Sequence, residues 1–308
     1  MSTPSDVMAA PDSRPATPSI LSVTRPFYWS VRRELWEHRS VYVAPLAVAA
    51  VLLFGFLLGT IRLPADMRAA AALDLAHQAA QHTRPYHFAA FAIMLTTLLV
   101  GVVYSLGALH GERRDRSILF WKSLPVSDLT TVLAKAAIPL VGLPVVGFAI
   151  IIALQLSMLL WSTAVLLASG VSAMPLWTLI PLVQMSVTLL YGLAVAALWY
   201  APIWGWLLLV SGWARRVTFL WAFLPPIALC VVERIAFHTS YFASLLGYRL
   251  IGVQDAFVAK ARGAVVVDPL AQIDLVRFLS LPGLWAGLAV AAAFLAVAVW
   301  QRRYREPI

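Results

Sequence analysis

A chain of 308 residues that is 61% hydrophobic and only 12% charged, with a mean hydropathy of +0.84, is not built for water. Soluble domains carry charge on about a quarter of their residues. The net charge of +9 is spread between and beside the apolar runs rather than gathered into one footprint, so no nucleic-acid partner is expected.

Residues 1–24 are rich in Ser, Thr, Pro and Ala without apolar periodicity, which predicts a disordered tail ahead of one transmembrane domain at 25–308. The first apolar run begins near Tyr42, too far from the N-terminus and too long for a cleavable signal peptide. Just before it, residues 26–41 (PFYWSVRRELWEHRSV) mix Phe27, Trp29, Leu35 and Trp36 with Arg32, Arg33, Glu34, Glu37 and Arg39. Aromatic rings among basic heads suit a helix lying in the membrane interface, or a cap on the first span.

The predicted fold class is all-α, a polytopic membrane protein with about six transmembrane helices, since apolar runs near the bilayer-spanning length of about 20 residues recur. The spans are predicted at 42–61, 87–109, 132–167, 176–213, 218–237 and 281–300. Residues 62–86, with two His and three Arg, read as a short external helix or loop. The third span is long enough to protrude or to kink at Pro139 and Pro144. The fourth is too long for one straight helix and too short for two with a loop, so a break is expected at Pro202. Cys230, the single cysteine, lies within the fifth and reads as packing rather than as part of a disulfide or metal cluster.

Orientation follows from the basic residues, which are retained on the cytoplasmic face. Placing the N-terminus inside puts five Lys and Arg at 1–41, five at 110–135, two at 214–217 and three after 300 on that face. Both termini are then cytoplasmic, and the largest external segment is 238–280.

The span centres hold almost no ionisable groups, whereas carriers and pumps that move ions place carboxylates, His or Lys there. The polar side chains at membrane depth are mostly Thr96, Thr97, Ser105, Gln155, Ser157, Gln184, Ser186 and Thr188. Thr96, Thr97, Gln155 and Gln184 are candidates for lining a pathway, although interhelical hydrogen bonding explains them as well. Glu233, beside Arg234 near the outer end of the fifth span, is a further candidate. His77, His82 and His87 recur every fifth residue, which drifts around a helix, and no zinc-ligand pattern accompanies them. Neither a GxSxG elbow nor a GxxxxGK[ST] loop occurs, so no catalytic residue, metal site or bound cofactor is expected of this chain, and no ATP hydrolysis by it alone.

Between the second and third spans, residues 111–135 read GERRDRSILFWKSLPVSDLTTVLAK. A charged run leads to an apolar and aromatic turn, Pro125 stops the helix, and Ser127 or Asp128 caps the next one. Ile118, Leu119, Phe120, Trp121 and Leu124 are costly to leave in water and call for lipid or a protein partner.

This pattern resembles the membrane subunits of ABC transporters, specifically the type-2 exporter permeases. The RREL stretch at 32–35 is similar to that family's elbow helix, and Glu112, Arg113, Arg114, Leu124, Pro125, Ser127 and Lys135 match its loop after the second span. The resemblance covers nearly the whole chain as architecture and about 40 residues as motif. It implies that Glu112, Arg113, Arg114, Arg116, Leu119, Phe120, Trp121, Leu124 and Pro125 couple the chain to a separate cytoplasmic ATPase subunit, which holds ATP and Mg. It also implies a dimer with a second permease copy or a related permease, in a bacterial inner membrane. The external segment at 238–280 is longer than in the simplest members. Two other classes remain open: a membrane-embedded enzyme or maturation factor working through that segment and the histidines at 77, 82 and 87, and a secondary carrier, which the empty span centres disfavour and internal inverted repeats would favour.

Overall fold

The computed structural model describes residues 20–70, 75–115, 126–253 and 273–304. Among the described residues every regular element is helical. In hydrocarbon each backbone N–H and C=O must be satisfied within its own segment, and the α-helix does this.

Helix α1 (Ile20–Glu37) precedes α2 (Ser40–Gly59), which continues through a 3₁₀ turn into the short α3 (Leu63–Ala70). Helix α4 (Leu75–Arg114) has 40 residues, or roughly 60 Å at 1.5 Å per residue. It therefore extends well past the predicted span 87–109 at both ends. Its first turns take in part of the segment read as a short external helix or loop, of which Leu63–Ala70 is the short helix, because the polar residues there continue the helical path beyond the apolar core.

Helix α5 (Asp128–Ala137) passes through a π-helical turn at Ile138–Gly142 into α6 (Leu143–Ala168). Pro139 lies in that turn and has no N–H to give the preceding turn, which the wider π geometry accommodates. A short α7 (Met174–Leu179) leads to α8 (Leu182–Trp199) and α9 (Ala201–Trp213), which Tyr200 separates, with Pro202 in the first turn of α9. Helix α10 (Thr218–Ala236), α11 (Tyr241–Ile251), α12 (Leu275–Ser280) and α13 (Pro282–Tyr304) complete the described chain.

Among the described residues six helical stretches are long and apolar enough to cross a membrane: Ser40–Arg68, His77–Arg114, Asp128–Ala168, Met174–Trp199, Thr218–Ala236 and Pro282–Tyr304. The protein is an all-α polytopic membrane protein. Helices α2, α4 and α6 form one packed group around Ile93, Ile151, Leu154 and Leu159. Helix α9 packs on α13 and on α4. Apolar burial contributes little between helices in lipid, so small residues that allow close van der Waals contact set the spacing. A Cβ on Gly205 would lie 3.3 Å from the Ala291 carbonyl oxygen, so α9 and α13 meet backbone to backbone. A Cβ on Gly101 would lie 2.9 Å from the Trp204 ring, which is seated directly on α4.

Helix α10 stands at the rim. Ala222 is its one buried residue, and its most apolar window is only 6% buried, against 39% for Asp128–Ala168. Trp206 donates its Nε1–H to the Ala222 carbonyl at 3.0 Å and holds the helix in place.

Candidate functional site

Where α1, α4, α5 and α13 converge, charged side chains are buried together. Glu34 of α1 and Lys135 of α5 are each 1% exposed. The Lys135 ammonium donates to Glu34 Oε1 at 2.8 Å and lies 3.0 Å from Glu112 Oε1 at the end of α4. Tyr104 donates its hydroxyl to the second oxygen of Glu34 at 2.9 Å. Arg33 approaches Glu34 at 3.0 Å and Glu112 at 3.5 Å. Arg302, near the end of α13, binds Glu112 Oε2 and donates from Nε to Asp128 Oδ1 at 3.0 Å.

Glu34, Glu112 and Asp128 bring three negative charges, met by Arg33, Lys135 and Arg302. A lone buried charge is strongly disfavoured, so these groups hold one another in place. Burial pushes the Glu34 carboxyl upward, but the Lys135 ammonium, the hydrogen bonds from Lys135 and Tyr104, and the charge of Arg33 outweigh it and hold Glu34 below its ordinary value of 4.5. The carboxylate form is the one the site selects.

Local sequence builds each contribution. Ser127 caps α5, its Oγ accepting from the Thr130 amide at 3.1 Å, which leaves the Asp128 carboxylate for Arg302. On the side of α9, Arg113 donates to the Gly212 carbonyl at 2.7 Å. The Ser211 hydroxyl accepts from the amides of Leu109 and His110, both at 3.0 Å. The His110 ring meets the Ala214 carbonyl at 3.1 Å. The end of α4 is thereby tied to α1, α5, α9 and α13 together.

Of the residues expected to couple, Glu112 and Arg113 turn into the bundle, while Arg114 is exposed beside Asp115 at 3.1 Å. Arg116, Leu119, Phe120, Trp121, Leu124 and Pro125 lie outside the described residues.

The pathway candidates do not converge. Thr96 and Thr97 bond back to the carbonyls of Ala92 and Met94, each at 2.8 Å. Gln155 is buried and donates to the Tyr86 carbonyl at 3.3 Å, Thr97 faces Gly147, and Gln184 is half-buried on α8. Glu233 accepts from Thr239 Oγ1 at 2.9 Å and from the amides of Tyr241 and Phe242 at 2.6 and 2.9 Å. It anchors the start of α11, a role for which the next helix in the chain, rather than Arg234, supplies the partner.

Glu34, Glu37 and His38 bring possible ligand atoms within 4.8 Å of one another. The Glu34 carboxylate is already engaged by Lys135 and Tyr104, so the group acts as part of the ion-pair cluster. In the sequence Glu34 stands in the elbow-like stretch, Asp128 as a possible helix cap and Lys135 in the loop motif, and none of them, nor Arg302, points to a shared buried cluster. One signal was available: Lys135 interrupts LAKAAIPL, and a lysine entering a span needs a carboxylate. No family model, curated protein or solved structure matches the chain.

Proposed function

We propose that this chain is the membrane-spanning subunit of a type-2 ABC exporter, driven by a separate cytoplasmic ATPase subunit that holds ATP and Mg. The observation that carries the proposal is the buried cluster joining α1 to α13 and to α4 and α5, the two helices that the segment 115–127 connects in sequence. Movement imposed on that loop reaches α4 through Glu112 and Arg113, and from them α1, α5, α9 and α13. In this reading Glu112 and Arg113 transmit the motion, and Phe120 and Trp121 make the contact with the ATPase.

The membrane is a bacterial inner membrane with both termini cytoplasmic, in keeping with the basic residues at 302 and 303 beside the cluster. The thinly packed α10 is the surface available to a second permease copy. The switch between inward and outward access is a change in how two such subunits meet, biased by nucleotide on the partner.

Purification with candidate ATPase subunits tests the reading. The wild-type chain should co-elute with one of them and change its ATP turnover. Phe120→Ala with Trp121→Ala should abolish association, whereas Glu34→Gln should keep association and lose the effect on turnover. Stable association that ignores Phe120 and Trp121 would defeat the assignment of the loop.

A further inference from the structure

At the end of the bundle opposite the charge cluster, the start of α4 faces α3 and the ends of α2 and α6 across a cavity of about 220 Å³. Tyr86 lies 18 residues before Tyr104, so the cavity is roughly 27 Å along α4 from the cluster. Its lining includes Phe56, Asp66, His82, Tyr86 and Ser162.

Nε2 of His82, whose residue is 8% exposed, has no hydrogen-bond partner, and the hydroxyl of Tyr86, 2% exposed, has only the Ser162 side chain beside it, at less than good hydrogen-bonding geometry. A buried polar group without a partner is costly to the fold, so such an atom aimed into a cavity is suited to receive a ligand's hydrogen bond. Thr60, elsewhere on the lining, is engaged: it donates to the Leu57 carbonyl at 2.6 Å and accepts from Trp161 Nε1 at 3.0 Å.

The chemistry of the lining selects the ligand. Asp66 carries its carboxylate at the exposed mouth and supplies the negative charge of the lining, which disfavours an anion. An apolar guest would leave His82 and Tyr86 as they are. A primary ammonium has three N–H donors. The Asp66 carboxylate, His82 Nε2 in the tautomer protonated at Nδ1, and the Tyr86 oxygen are three acceptors on one cavity. The rings of Phe56 and Tyr86, edge to face at 6.2 Å between centroids, add aromatic surface that favours a cation.

We propose that this cavity binds a primary ammonium group, with Asp66, His82 and Tyr86 each accepting one of its N–H bonds. The proposal is independent of the exporter reading, because it rests on residues at the other end of the bundle. Two sources present this group: an ethanolamine lipid head group, reached from the bilayer, and a small soluble amine.

The full chain is purified in detergent, and native mass spectrometry compares phosphatidylethanolamine with phosphatidylcholine of the same acyl chains. Calorimetry compares free ethanolamine with free choline. The trimethylated analogues keep the positive charge and lose all three donors. The expected result is at least a tenfold preference for the primary amine in one of the two formats. Preference in the lipid format alone identifies the head group, and preference for free ethanolamine identifies a soluble ligand. Asp66→Asn should weaken binding at least tenfold and Tyr86→Phe several-fold. The second change removes one oxygen and keeps the packed ring, so it serves where the first disturbs folding. Equal binding of amine and trimethylated analogue, no binding of either, or full affinity in Tyr86→Phe would overturn the proposal.

Discussion

Replacing Lys135 with methionine keeps the aliphatic stem and removes the ammonium that sits 2.8 Å from Glu34 and 3.0 Å from Glu112. The side chains of Lys135 and Glu34 are only 2% and 1% exposed, so solvent does not screen what is lost. Glu34 then keeps Tyr104 and Arg33, while Glu112 keeps Arg302 and Arg33. Removing one partner of a buried pair costs about 3–5 kcal/mol, because the other charge stays buried without compensation. At about 2 °C per kcal/mol for a chain of this size, the midpoint of thermal unfolding in detergent should fall by about 6–10 °C. Glu34→Gln in the Lys135→Met background should restore part of that loss, since it removes the stranded charge. A double-mutant cycle measures the restoration as a coupling energy. A Lys135→Met midpoint within 1 °C of the wild type, or strictly additive effects of the two changes, would refute the view that this cluster holds the helix ends together.

Three further outcomes follow from named contacts. Because Glu34 is held below its ordinary value of 4.5, it binds fewer protons folded than unfolded. Its stabilisation is complete above about pH 4.5 and is lost as pH falls through the lower folded value, so Glu34→Gln should flatten the acid limb of a stability–pH profile. Val217 adopts φ of 46°, a left-handed backbone that a β-branched residue tolerates poorly, and Val217→Gly should raise stability by about 1 kcal/mol in the same unfolding assay. Gly101→Val should cost about 1–3 kcal/mol by forcing the Trp204 ring off α4, visible as a shift in tryptophan emission together with a lower midpoint.

The spans were readable in the sequence because length and hydropathy are local properties. Their ends were less so. Helix α4 continues to Leu75 and Arg114 because polar residues extend a helix as readily as apolar ones once a span has nucleated it. The fourth apolar region separates at Tyr200, two residues before the proline that drew attention to it, since a proline is accommodated in the first turn of the following helix. The charge cluster shows a different obstacle. Glu34 and Lys135 are 101 residues apart, and Glu112 and Arg302 are 190 apart, so no local pattern announces either pair. Glu233 was conspicuous as a carboxylate near a span end, yet its partners are the amides that open α11, set by a turn that only the folded backbone reveals. His82 stood out only as one of three evenly spaced histidines and Tyr86 not at all, because a cavity belongs to the packing of several helices and has no signature in any one of them.

The close contact of α9 with α13 has a mechanical consequence. The two run side by side in the same direction, with Gly205 against the Ala291 backbone and Gly212 against the Gln301 side chain. Together they form a stiff double rod. One end carries Arg302 in the charge cluster, and near the other Arg249 donates to the Gly283 carbonyl at 2.7 Å and stacks 4.6 Å over Trp199. From Gly283 to Arg302 the rod is about 29 Å long, so a tilt of about 10° pivoting at the charged end displaces the far end by about 5 Å. Helix α11, keyed to that far end by Arg249, is carried by the full stroke.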